Sequence, residues 1–172
     1  KYWSSVCSNT DVPVLNLPYD YPATNSKSYN GDKIGYFMQK ETFEKLQDLA
    51  KSLNVSEYTL FLTALYIVLY KYTDLIVASP FAGRSFEELS NVIGMFVNNI
   101  ILRKNIEVTS SVSDLLKSVQ NTVTNSLSNQ PYPYEFIAKK LNNNPSLLDI
   151  VLTYQNTKKD EYKIDDATLE LI

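Results

Sequence analysis

The sequence predicts an α/β domain in which one mixed sheet carries helices packed on it. Three observations lead there. Strand-like and helical segments follow one another in the order β-α-α-β-β-α-α-β, an arrangement that packs helices on a sheet. Apolar residues recur at helical spacing over 41–53 and again over 112–128. Between them, 57–72 is apolar almost all round, which assigns it a place deep in the fold. With 172 residues, 44% of them hydrophobic and only four glycines and seven prolines, the chain has the makings of one domain with a real core.

Residues 1–33 read as an irregular lead-in, punctuated by Pro13, Pro18 and Pro22. After the Asn30-Gly31-Asp32 turn signal, Ile34, Tyr36 and Met38 alternate with Lys33, Gly35 and Phe37, predicting a strand over 33–39. Phe43, Leu46, Leu49, Ala50 and Leu53 share one face of an amphipathic helix over 41–53. Asn54-Val55 breaks it, and Ser56 is placed to cap the apolar helix 57–72. Leu75 to Phe81 is a short buried strand, and 95–105, rich in β-branched residues and Leu, is another. Ser111 is placed to cap a helix over 112–128 whose buried stripe is Leu115, Leu116, Val119, Val123 and Leu127. A short helix over 134–141 follows Pro131 and Pro133, then a buried strand over 149–155. Residues 157–172 read as a charged turn plus a terminal strand.

The composition excludes several kinds of chemistry. There is no histidine, so imidazole metal ligands and Ser-His or Cys-His catalysis are ruled out on this chain. Acid-base work would fall to Asp, Glu, Lys, Tyr or the single thiol, Cys7. One cysteine cannot close an intramolecular disulfide and fits a reducing, cytoplasmic setting. A net charge of −3 with two arginines, Arg84 and Arg103, gives no basic patch for nucleic acid. The longest uncharged apolar stretch, Tyr58 to Tyr70, is 13 residues, short of the roughly 20 that span a bilayer; a membrane partner is not expected. The start, Lys1-Tyr2-Trp3-Ser4, has neither an initiator methionine nor an apolar signal core, as expected of a fragment or processed chain.

Three segments could carry function, and each also has a plain structural reading. In Ser79-Pro80-Phe81-Ala82-Gly83-Arg84, Gly83 can take a positive φ and Arg84 would face outward at the strand tip. In Ile93-Gly94-Met95-Phe96-Val97-Asn98-Asn99, the Asn98 amide lies inside an apolar strand and needs partners, either pinning two strands or facing a substrate. In Asn129-Gln130-Pro131-Tyr132-Pro133-Tyr134-Glu135, the prolines stiffen a helix start and Glu135 suits its N-terminal end. The acidic pairs Glu87-Glu88, Asp160-Glu161 and Asp165-Asp166 read as solvated faces, and most of the thirteen tyrosines as core or boundary residues.

In this order the segments resemble the condensation domains of nonribosomal peptide synthetases. Tyr2-Trp3 is similar to the end of that family's tyrosine-tryptophan element, and Leu17 to Pro22 to its "Leu-Pro-x-Asp-x-Pro" lead-in. Ser79 to Arg84 resembles "Thr-Pro-x-Ala-Gly-Arg", and Ile93 to Arg103 "Ile-Gly-x-Phe-Val-Asn-Thr" ending in Leu-Arg. Asn129 to Glu135 resembles "His/Asn-Gln-Asp-x-Pro-Phe-Glu", and Ile150 to Asn156 the strand ending "Tyr-Gln-Asn". The departures are Asn99 for Thr, Pro131 for Asp, a missing Gly-Gln-Asp/Glu loop at Thr73-Asp74 and a shortened loop over 142–148.

The resemblance implies a chloramphenicol-acetyltransferase-like half-domain with helices mainly on one face of a mixed sheet. It makes 1–172 the C-terminal subdomain, with 34–156 its core. It also implies that this half is one wall of the tunnel where amide bonds form between carrier-tethered thioesters. Pro80, Gly83, Arg84, Gly94, Phe96, Val97, Asn98, Arg103, Gln130, Pro133 and Glu135 are its motif or tunnel residues. The catalytic histidines followed by Asp-Gly belong to the preceding half, so no catalytic residue, metal or directly bound cofactor is expected here. The phosphopantetheine arm of a carrier protein is the substrate carrier. The implied partners are the N-terminal half, carrier proteins and an adjacent adenylation domain. A related cyclisation, epimerisation or CoA-dependent acyltransferase half, or a non-catalytic docking module, is the alternative.

Overall fold

The computed structural model describes residues 1–7, 17–18, 20–21, 30–72, 75–106, 111–141, 145–155, 162–164 and 167–169. Pro13, Pro22, Thr73-Asp74, 142–144, Asn156 and the acidic pairs after it lie outside them.

The irregular lead-in begins instead with a helix, α1 (Tyr2–Val6). Five residues cannot sustain a helix alone, so its cause is tertiary. Trp3 is buried and its Nε1–H donates to the Asn129 carbonyl at 2.9 Å. The Tyr2 hydroxyl pairs with Ser126 Oγ at 2.8 Å.

The strand predicted over 33–39 is not formed: 30–39 has no regular structure and is exposed throughout. Ile34 and Phe37, on opposite parities, are 95% and 96% exposed. Alternation marks a segment able to pair, but a strand exists only through a neighbour's hydrogen bonds, and no described residue supplies them.

The amphipathic helix is present as α2 (Lys40–Leu53), stopped by Asn54 in the left-handed conformation at φ 54°. The apolar helix is α3 (Glu57–Leu69), capped as predicted by Ser56 Oγ, which accepts from the Thr59 N–H at 3.1 Å. It ends before Tyr72 and is less deeply placed than its composition implies, since Ile67 and Val68 are exposed. No single helix among the described residues is long and apolar enough to cross a membrane, and α2 and α3 bend by 103° at their break.

The central strand β1 (Leu75–Phe81) pairs antiparallel with β2 (Asn98–Lys104), with Val77 opposite Leu102 and Phe81 opposite Asn98. Along its other edge runs 150–152, parallel to β1, so the arrangement is mixed. The expected strand over 149–155 shrinks to this one bridge, with Ala78 N–H donating to Ile150 O at 2.9 Å and Leu152 N–H to Ala78 O at 3.0 Å. The cause is Pro80. The next N–H on that edge would be at position 80, where proline has none. The Leu152 carbonyl is met by the Ser79 hydroxyl at 2.6 Å instead. Nor is the segment buried, because Val151 and Thr153 are exposed.

Helix α4 (Val112–Ser128) has the predicted bounds and its Ser111 cap, with Oγ accepting from the Asp114 N–H at 3.1 Å. It packs on β2 and on α3. Val77, Ile100, Leu102, Leu62, Tyr66, Val119 and Ile137 are among the buried side chains of the shared core, and Tyr66 Oη donates to the Leu102 carbonyl at 3.0 Å. Helix α5 (Tyr134–Lys140) follows. In place of one terminal strand there is an antiparallel hairpin, β3 (Tyr162–Ile164) with β4 (Ala167–Leu169). The result is an α/β fold. Its tyrosines divide more evenly than expected: Tyr66 is buried and Tyr2, Tyr58, Tyr134 and Tyr154 are half-buried, while Tyr21, Tyr36, Tyr70, Tyr72 and Tyr132 are exposed.

Candidate functional site

β1 ends in a tight turn at Gly83, which has φ +68°, a conformation that suits a residue without Cβ. The turn sends Arg84 back rather than outward. Its guanidinium donates to the carbonyls of Leu89, Val92 (2.9 Å) and Gly94 (3.3 Å), and lies 4.5 Å from the centre of the Phe96 ring. One arginine thus clamps the loop between β1 and β2. Gly94 lies under the same ring; a Cβ there would come within 3.2 Å of it.

Asn98, the first residue of β2, is committed to the α4–α5 turn. Its Nδ2 donates to the carbonyls of Gln130 (2.7 Å) and Tyr132 (3.1 Å), and its Oδ1 accepts from the Tyr134 N–H at 3.1 Å. Rather than pinning two strands, its side chain holds a turn against a strand. Pro133 precedes the first turn of α5 and Glu135 lies within it, where a carboxylate is favoured.

These elements enclose a cleft of about 320 Å³ lined by Gly83, Phe96, Val97, Asn98, Gln130, Pro133 and Glu135, with Phe86 and Leu89 at its side. Arg84 and Gly94 shape it from behind through Phe96. Two predicted residues stand apart. Pro80 lines a neighbouring cleft. Arg103 is half-buried on β2, with Nη1 3.5 Å from the Val6 carbonyl, because its place in β2 turns it toward α1.

The neighbouring cleft, about 690 Å³, joins parts of two motif segments, Ser79–Arg84 and Ile150–Asn156, to Tyr58, Gln120, Val123 and Leu127, a meeting the sequence reading did not foresee. Tyr58 and Phe81 meet there edge to face, 5.9 Å between centres. Burial pushes the Tyr58 phenol up to about 12. Its hydroxyl makes no hydrogen bond of ordinary geometry among the described residues, although Ser79 lies close enough to oppose that rise. At the rim, Tyr154 donates to the Glu57 carboxylate, and this bond raises the phenol to about 12 and lowers the carboxyl.

No group of His, Cys, Asp or Glu among the described residues is arranged to hold a metal ion. The first cleft offers an amide, backbone carbonyls and one carboxylate, a lining that can hold and orient a ligand.

Comparison with known proteins places the chain in a family and a fold. The family model described as "Condensation domain" matches residues 1–171. Bacitracin synthase 1 of Bacillus licheniformis is 35% identical over 181 aligned residues, which take in 100% of this chain and 3% of that protein. Among solved structures, the chain is similar to holo-AB3403, a four-domain nonribosomal peptide synthetase bound to AMP and glycine. The TM-score is 0.83 at 22% identity, over 91% of this chain and 12% of that one. It is also similar to the first condensation domain of the CDA synthetase, with TM-score 0.63 and 17% identity, over 81% of this chain and 30% of that one. The chain therefore spans only a small part of the proteins it matches, and on the family match it belongs to the condensation-domain family of nonribosomal peptide synthetases.

Proposed function

We propose that residues 1–172 form the C-terminal half of a condensation domain. In this reading the chain is one wall of the tunnel where an amine on one carrier-bound phosphopantetheine attacks an acyl thioester on another. In the same reading the base and its histidines come from the preceding half, which is compatible with the absence of histidine here. This half positions the two arms, and positioning alone can account for a large share of a bimolecular barrier. Its partners are the preceding half, carrier proteins and an adjacent adenylation domain, in the cytoplasm.

The observation that carries the reading is the first cleft. It gathers Gly83, Phe96, Val97, Asn98, Gln130, Pro133 and Glu135 from three separate segments onto one surface. Val97, 54% exposed on that surface, gives the test. In a protein containing both halves, Val97→Trp should cut single-turnover amide formation more than tenfold while the melting temperature stays within error. An unchanged rate per folded molecule would overturn the proposal.

A further inference from the structure

Asn30-Gly31 is the one Asn-Gly pair in the chain, since the other three glycines follow Ile34, Ala82 and Ile93. Both residues are exposed, in the stretch without regular structure that leads into α2. Beyond its chain neighbours, no heavy atom lies within 4 Å of where a Cβ on Gly31 would stand. The nearest hydrogen bond along the described chain is made after the pair, by Lys33 N–H to Asp32 Oδ1 at 2.7 Å. An asparagine side-chain amide is open to attack by the nitrogen of the next residue wherever the backbone can rotate and that nitrogen is accessible, and glycine obstructs neither. Elsewhere in the described structure the corresponding nitrogen is held. After Asn54, Asn91 and Asn129, the next N–H donates to Ala50 O (3.0 Å), Leu89 O (3.2 Å) and Leu127 O (3.1 Å) respectively. Asn125 lies inside α4, where the following N–H belongs to the helix ladder. At Asn98 it is the side chain that is held, by three hydrogen bonds.

We propose that Asn30 is a site of spontaneous covalent modification, deamidating through a cyclic imide closed by the Gly31 nitrogen. Hydroxide removes the Gly31 amide proton, and the nitrogen attacks Asn30 Cγ. As that C–N bond forms, the bond from Cγ to the side-chain nitrogen breaks, and the nitrogen leaves as ammonia, taking its proton from water. Water then opens the ring at either carbonyl and leaves aspartate or isoaspartate at position 30. Both products place a new carboxylate two residues before Asp32, and isoaspartate also adds one methylene to the main chain just ahead of 33–39. This chemistry is independent of the condensation role.

The test incubates the full chain in its native state, cleaves it after lysine at successive times and follows the 28–33 peptide by mass spectrometry. An isoaspartyl methyltransferase counts the isoaspartate formed. The peptide should gain about 1 Da at least tenfold faster than any peptide carrying another described asparagine. The gain should be at least fivefold faster in mildly alkaline than in mildly acidic buffer. In urea the Asn30 rate should stay within threefold of the native one, whereas that of Asn125 should rise at least fivefold. Gly31 lies outside the left-handed region and has room for a methyl group, so Gly31→Ala should slow the reaction at Asn30 at least tenfold and leave the melting temperature unchanged. A 28–33 peptide that keeps its mass in the native chain but converts in urea would overturn the proposal. So would an Asn30 rate no greater than that of the other asparagines, or a Gly31→Ala rate equal to wild type.

Discussion

Gly83 lies so close beneath Phe96 that a Cβ on Gly83 would sit 1.8 Å from the Phe96 carbonyl oxygen. The position of a Cβ is fixed by its backbone and the oxygen it meets is a backbone carbonyl, so no rotamer change relieves the contact. The +68° φ at Gly83 adds strain for any L side chain. Gly83→Ala should therefore destabilise the fold by at least roughly 1–3 kcal/mol, read as a lower urea midpoint. A midpoint equal to wild type would show that the turn has another conformation available.

Asn98 makes three hydrogen bonds to the 130–134 turn. Asn98→Ala strands two carbonyls and one N–H, and should lose roughly 1–3 kcal/mol of stability. Asn98→Asp keeps the acceptor but turns an oxygen toward both carbonyls, so it should be at least as destabilised. Chemical denaturation of both variants checks this; an aspartate variant as stable as wild type would refute the pinning role.

The Tyr58 hydroxyl is buried and unpaired among the described residues. Removing an unpaired buried polar group forfeits no bond, so Tyr58→Phe should be neutral or stabilising by up to about 1 kcal/mol. A variant clearly less stable than wild type would reveal a partner for that hydroxyl.

The Glu57–Tyr154 bond makes stability depend on pH at both ends. Tyr154 and Gln47 donate to the Glu57 carboxylate and hold its pKa below the ordinary 4.5. A folded pKa below the unfolded one contributes stability above 4.5 and gives it up as pH falls through the folded value. Tyr154, raised from 10.0 to about 12, contributes below 10 and loses that as pH climbs toward 12. Glu57→Gln should flatten the acid limb of melting temperature against pH, and Tyr154→Phe should flatten it partly. An acid limb unchanged in Glu57→Gln would exclude the pair as its cause.

Cys7 is buried, and burial raises its thiol above the usual 9.0 against the opposing pull of Lys140 and Arg103. Thiolate is the reactive form, so the native chain should react slowly with a disulfide reagent and release one equivalent on unfolding. Full reaction within the mixing time in native buffer would contradict this burial.

What could be read from sequence was what local residues decide. Ser56 and Ser111 cap their helices through the next turn's N–H groups, and α4 begins and ends where its apolar stripe does. β1 has the predicted bounds because its apolar run is cut by the Gly83 turn. What failed depended on distant partners. The 33–39 alternation finds no neighbouring strand, α1 exists only because Trp3 reaches Asn129, and the 149–155 run is limited by Pro80 in another segment. The first cleft was legible as three motif segments in order. The commitments of Arg84 and Asn98 were not, because their acceptors are carbonyls that any sequence possesses. Two motif segments, Ser79–Arg84 and Ile150–Asn156, supply part of the second cleft, but that they meet Tyr58 and Gln120 there was not legible, because those residues come together only after folding.

The single bridge at Ala78 makes one wall of the second cleft detachable. Residues 150–152 are tied to the sheet by two backbone bonds and the Ser79 hydroxyl, so opening this seam needs far less free energy than unfolding the core. Tyr154 leaves with it once its bond to Glu57 also breaks, and the cleft then widens. Occupancy of the cleft and solvent exchange of the Leu152 amide are therefore coupled: a group that packs against Tyr154 holds the seam shut and slows that one proton.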